Sequence, residues 1–138
     1  MVSDEKYNEP AFILQFPRLW QAIGWLSVIG LVVISLLPSP PQPPVISWDK
    51  AQHGFAYAGL MLWFAQAFTA RLRWVGFLLG LGVVIEFLQS GTGYRYFDFG
   101  DMLANTVGVL SGLLLNLTPL GMLVVWLDRW LAACWGHR

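Results

Sequence analysis

Residues 19–37 read Leu-Trp-Gln-Ala-Ile-Gly-Trp-Leu-Ser-Val-Ile-Gly-Leu-Val-Val-Ile-Ser-Leu-Leu, a run with no charge and only Gln21, Ser27 and Ser35 as polar groups. A helix of that length rises about 28 Å, enough to cross the hydrocarbon core of a bilayer. The run exceeds the usual core of a signal peptide, and no small-x-small cleavage pattern follows it. It therefore reads as a retained membrane helix.

The rest of the chain agrees with that class. Of its 138 residues, 57% are hydrophobic and 12% are charged, about half the charge of a soluble domain. Eight tryptophans and nine phenylalanines suit positions at a lipid–water interface. The formal net charge is zero, so nucleic acid is excluded as an electrostatic partner. A single cysteine, Cys134, rules out an internal disulfide and a multi-thiolate metal site.

Outward from the first run, the N-terminal side (residues 1–18) is polar, with an interfacial stretch from Ala11 to Phe16 and Pro17 placed for a first helical turn. On the other side, Pro38-Ser39-Pro40-Pro41-Gln42-Pro43-Pro44 carries five prolines in seven residues, a stiff extended connector. Further helical spans are expected over Asp49–Thr69, Trp74–Ser90 and from Asp98 to about residue 117. Gly91–Phe97 forms a glycine-rich loop bearing Arg95. Thr118-Pro119 reads as a stop and restart. The Trp-rich stretch from Leu120 to Trp135 is too short for a clean span and reads as an interfacial or continuing helix anchored by Trp126 and Trp130. The expected fold is all-α, an integral membrane bundle of four transmembrane helices over residues 19–117, with 1–18 and 118–138 as flanking segments.

In a four-span arrangement Lys6, Arg18, Arg71, Arg73, Arg129 and Arg138 fall on one side, and Lys50 and Arg95 on the other. The positive-inside rule then makes both termini cytoplasmic. The start of span two, the end of span three and the start of span four share the outer leaflet. Asp49, Lys50, His53 and Tyr57 occupy about a third of one helix circumference. Glu86 and Gln89 lie one turn apart, and Asp98, Asp101, Asn105, Gly108, Gly112 and Asn116 share a stripe. Gly108-x-x-x-Gly112 allows close approach to another helix.

A carboxylate such as Glu86 inside an apolar helix must be protonated, paired or hydrated, and His53 or Lys50 is its natural partner. His53, Glu86 and Asp101 are the candidates for acid–base work. Asp49, Lys50, Tyr57, Gln89, Arg95, Asp98 and Asn105 are the candidates for ligand binding, with Lys50 and Arg95 suited to an anionic headgroup. Asp49 with Gln52, and Asp98 with Asp101, also resemble capping boxes, and Lys50 also suits snorkelling to the interface. Zinc hydrolysis lacks a second nearby histidine, the other being His137. A hard cation on Glu86, Asp98 and Asp101 is allowed but not specified. The residues name no cofactor.

The ordered set Asp49-Lys50-x-x-His53-x-x-x-Tyr57, Glu86-x-x-Gln89 and Arg95-x-x-Asp98-x-x-Asp101-x-x-x-Asn105 resembles the VanZ-like family of bacterial membrane proteins, over about residues 19–117. The resemblance implies a small multi-span domain of the bacterial inner membrane and, through the family's name, a link to glycopeptide-antibiotic resistance. It supplies no reaction. The expected function is an outer-leaflet site that binds, and in one version modifies, a polar membrane lipid or lipid-linked cell-envelope precursor. The alternative is a non-catalytic protein whose polar cluster only locks the bundle or docks a partner. An ion pathway is disfavoured, because the inner halves of the spans offer little beyond Gln66 and Asn116.

Overall fold

The structure is a computed structural model that describes residues 13–38 and 48–136. The polar stretch 1–10, most of the proline-rich connector, and His137 and Arg138 lie outside the described residues. The elements are α1 (Pro17–Leu36), α2 (Trp48–Ala67), α3 (Arg71–Gly91), α4 (Phe99–Leu115), a single 3-10 turn (Pro119–Met122) and α5 (Leu123–Trp135). Among the described residues there is no strand, so the all-α class holds.

Two helices, α1 and α3, are by themselves long and apolar enough to cross a membrane. The α4 segment passes the same test only together with the stretch from Pro119 to Trp135, and that pair is bent by 76°. The bend has a local cause. Thr118 Oγ1 accepts a hydrogen bond from the Leu120 N–H, and Pro119 opens the new turn, so the chain stops and restarts. As an apolar span α2 is weaker, since Asp49, Lys50, Gln52, His53 and Gln66 dilute it. It tolerates them because it is the central helix, packed against α1, α3 and most extensively α4.

The α2–α4 crossing is close because small residues face small residues. Gly108 of α4 lies on the Gly54 carbonyl of α2, and Gly112 lies on the Ala58 carbonyl. The Gly108-x-x-x-Gly112 stripe therefore meets a second small pair at the same spacing, Gly54-x-x-x-Ala58, backbone against backbone. The surrounding core is apolar, with Tyr57, Met61, Phe64, Leu78 and Val109 sealed inside. Trp25, Phe68, Trp74 and Phe77 pack edge-on or stacked around Phe64.

The outward faces are apolar too. Leu26, Ile29 and Val33 of α1, Val84 and Phe87 of α3, and Leu103, Val107 and Leu114 of α4 are all exposed. Charged Glu86, Asp101 and Asp128 are buried. That inversion of the soluble pattern is what a lipid-facing bundle requires.

At the end of the bundle where α1 and α3 begin, α5 folds across the helix termini. Its Asp128 carboxylate, 2% exposed, accepts hydrogen bonds from the Gln15 N–H (2.7 Å), the Phe16 N–H (3.0 Å) and Trp20 Nε1 (2.7 Å). Phe16 offers α1 no side-chain cap, so Asp128 satisfies orphan donors there and sets a negative charge at the positive end of the helix. Gln66 fastens the same corner from α2, accepting from the Val124 N–H and donating to the Leu120 carbonyl.

Candidate functional site

The opposite end gathers the α2 N-terminus, the α3 C-terminus and the α4 N-terminus, with residues 92–98 looping between the last two. The loop is fixed first. Asp98 is the N-cap of α4, its Oδ1 accepting from the Gly100 N–H at 2.6 Å. Its own N–H donates to Glu86 Oε1, also at 2.6 Å. The buried Glu86 carboxylate thus spends an oxygen on the backbone at the start of α4. The expected partnership of Glu86 with His53 or Lys50 is corrected: no ion pair of Glu86 with either occurs among the described residues. A backbone N–H at a helix start is a strong donor that needs no long side chain to be ordered.

Asp101 is the hub of the remaining charges. It is 2% exposed, and Lys50 Nζ, Arg95 Nη2 and His53 Nε2 lie 3.0, 3.5 and 3.8 Å from its oxygens. Lys50 also reaches Asp98 Oδ2 at 2.5 Å, and Arg95 reaches Asp49 Oδ2 at 3.0 Å. Asp101 is therefore no partner in a capping box, because its carboxylate points at cations of α2 and the loop. His53 Nδ1 meets Asn105 Oδ1 at 3.2 Å. The cluster is graded by depth: Asp49, Lys50 and Asp98 are one third to one half exposed at the rim, whereas Asp101 and His53 form a buried floor.

Tyr57 lies one turn further into α2 than His53, and Gln89 lies to the side, near the last turn of α1. Tyr57 is buried with its hydroxyl unpartnered among the described residues, close to the Asn105 amide over Gly82. Gln89 Nε2 donates to the Ser35 carbonyl at 2.8 Å, and Tyr94 Oη donates to the Leu36 carbonyl at 2.5 Å. These two satisfy the open C-terminal carbonyls of α1. Gln89 is thus bonded to α1 rather than to the charged cluster. Tyr94 was not among the sequence candidates, since nothing local in a loop tyrosine marks it as a helix clasp.

For a metal, the residues that converge are Asp49, His53 and Asp101, with one donor atom from each within 4.8 Å of the others. The acidic set Glu86, Asp98 and Asp101 does not come together in this way, because Glu86 and Asp98 are engaged with backbone N–H groups.

The Lys50 ammonium and the Gly100 N–H hold the Asp98 carboxyl below the usual aspartate range. A carboxyl with a depressed folded-state value stabilises the fold above its unfolded value and loses that contribution as pH falls through the folded one. Thermal stability of the purified protein is therefore expected to be flat from neutral pH to about pH 5 and to fall below about pH 4. Asp98→Asn should start lower and show a shallower acid decline in the same scan. An identical decline in the variant would remove Asp98 from the explanation.

A family model described as VanZ/LLP1 matches residues 12–120. An uncharacterized protein of Schizosaccharomyces pombe is 35% identical over 98 residues, which is 65% of this chain and 59% of the relative. The chain thus spans under two thirds of the length of the curated relative it matches. No solved structure matches the chain.

Proposed function

The chain belongs to the VanZ/LLP1 family, and from that premise we propose that it is a four-span membrane protein whose charged end binds the headgroup of a membrane lipid or lipid-linked envelope precursor. In this reading α2 is the fourth span, shielded from lipid by α1, α3 and α4. Arg18, Arg71, Arg73 and Arg129 lie at the end opposite Lys50 and Arg95. By the positive-inside rule, this charge asymmetry supports a cytoplasmic side for both termini and an outer-leaflet position for the cluster. Helix α5 lies along the inner interface, with Trp126 and Trp130 exposed.

The observation that carries the proposal is the buried ionic floor beneath a partly exposed, ion-paired rim. Trp48, Tyr96 and Phe99 stand exposed beside that rim, at the height where aromatic rings meet headgroups. Lys50 and Arg95 exchange a carboxylate for the headgroup phosphate, while Asp101 and Asn105 keep the floor aligned. Where the headgroup is also altered, His53 and Glu86, each from its own helix, are the candidate proton carriers. A relative in a yeast favours a phospholipid headgroup over a precursor confined to bacterial walls. In a bacterial host the same site would alter glycopeptide susceptibility through the envelope lipids it holds.

A second reading has its own support. Lys50 ties α2 to α4, Glu86 ties α3 to α4, and Gln89 ties α3 to α1, so the cluster also suits a purely structural lock. Lipid retention on the detergent-purified chain separates the two. Lys50→Gln and Arg95→Gln are expected to stay folded and to lose about tenfold in retention of an anionic phospholipid relative to a zwitterionic one, about 1.4 kcal/mol. Unchanged retention in both folded variants favours the lock.

A further inference from the structure

We infer that Asp49, His53 and Asp101 form a binding site for one divalent transition cation, of the manganese or zinc kind, which Arg95 closes when no cation is bound. The inference goes beyond the lipid reading and stands without it.

Geometry is the first support. The three donor atoms lie within 4.8 Å of one another, so small side-chain rotations bring them onto an ion with ligand bonds of about 2.1 Å. Two carboxylates and one imidazole leave positions open for water or a bound oxygen, as in sites that keep three protein ligands.

The second support is the histidine. Asn105 Oδ1 can only accept, so the hydrogen bond at 3.2 Å puts the proton on His53 Nδ1. In the neutral ring Nε2 then carries a bare electron pair. It points at Asp101 Oδ2 from 3.8 Å, beyond hydrogen-bond range. His53 is only 9% exposed, and the gap between its Nε2 and Asp101 Oδ2 is bridged by no hydrogen bond among the described residues. A cation between Nε2 and Asp101 would use that electron pair, and Asn105 would act as the outer partner that fixes the ligand tautomer.

Charge is the third. Asp49, Asp98 and Asp101 face Lys50 and Arg95, so carboxylates outnumber the permanent cations before Glu86 is considered. Lys50 is engaged by Asp98 Oδ2 and Asp101 Oδ1. Arg95 Nη2 sits between Asp49 Oδ2 and Asp101 Oδ2, at 3.0 and 3.5 Å, on the two carboxylates the ion would ligate. It is carried on a short loop with Gly93 at φ +81°, not on a helix. An entering ion displaces the guanidinium, which then faces the rim without its carboxylates. The imidazole favours zinc over calcium and magnesium, which prefer all-oxygen sites, and the two carboxylates also suit manganese.

The test is titration of the metal-free full chain in detergent, with manganese followed by electron paramagnetic resonance and zinc by calorimetry. Zinc titrations use a Cys134→Ala background, because the exposed thiol is a competing ligand. One ion per chain is expected. His53→Gln and Asp101→Asn should weaken binding at least about tenfold. Arg95→Gln should tighten it several-fold, a gain that a misfolded protein does not show, so this variant decides the matter if the other two fail to fold. No binding to the unmodified chain, binding that survives both ligand substitutions, or weaker binding in Arg95→Gln each overturns the inference. Such a failure leaves anionic-lipid retention to stand on Lys50 and Arg95, and loss of lipid retention with intact metal binding would remove only the lipid reading.

Discussion

Gly108→Leu is expected to prevent the bundle from assembling. A side chain at this position meets the Gly54 carbonyl, and one at Gly112 meets the Ala58 carbonyl together with Met61 Cβ at 2.8 Å. Backbone cannot rotate away as a side chain does, so α2 and α4 must move apart along their whole contact. Overpacking of a tight interface costs about 3 kcal/mol or more, a large part of the stability of a chain this size. The separation would also pull His53 and Lys50 away from Asn105 and Asp101, since the two helices carry opposite halves of the site. Gly80→Ala is the control, because a methyl group there meets nothing within 4 Å. Size-exclusion chromatography and thermal unfolding of both variants read the outcome. A monodisperse Gly108→Leu protein with unchanged unfolding would refute the close crossing.

Asp128→Ala carries the next largest expected effect. It strips the acceptor from the Gln15 and Phe16 N–H groups and from Trp20 Nε1 in one step. Each donor left unpaired in a buried place costs about 1–3 kcal/mol. Partial hydration at the chain surface recovers some of that, which leaves a net loss of about 3 kcal/mol. Asp128→Asn should fall between wild type and alanine, since it keeps one acceptor oxygen but sets an amide N–H against donors. The structural sign of the loss is release of the α1 N-terminus, read as faster limited proteolysis near residues 13–16. A double-mutant cycle with Trp20→Phe should show strong coupling. Additive losses would mean that the carboxylate and the indole act separately.

The helices were legible because each has a dominant local signal. Residues 19–37 are uninterrupted in their apolarity, and Pro17 and Pro119 mark starts that the backbone obeys. The α4 stripe was legible because a period of 3.6 puts Asp101, Asn105, Gly108 and Gly112 on one line, and those four are buried. Its partner was not recognised, although Gly54-x-x-x-Ala58 has the same spacing, because it overlaps a patch whose charges draw attention first. Convergence of charges at one end followed from topology. Pairing did not, since it depends on a few tens of degrees of helix rotation that no sequence period fixes. Glu86 shows this: its partner is a backbone N–H, which no residue type announces. Asp128 was hidden for a different reason. Beside Arg129 it looks like an ordinary charged pair ending an apolar run, and its three donors lie more than a hundred positions away.

That separation orders the making of the molecule. Gln15 and Phe16 precede Asp128 by 113 and 112 positions, so during synthesis the donors at the head of α1 are made long before their acceptor. Asp128 can take them up only after α2, α3 and α4 have been followed by α5. The fastening that completes the first helix is thus supplied by the last, so a chain cut short before residue 128 carries every residue of the charged cluster but not the means to hold its first helix in place.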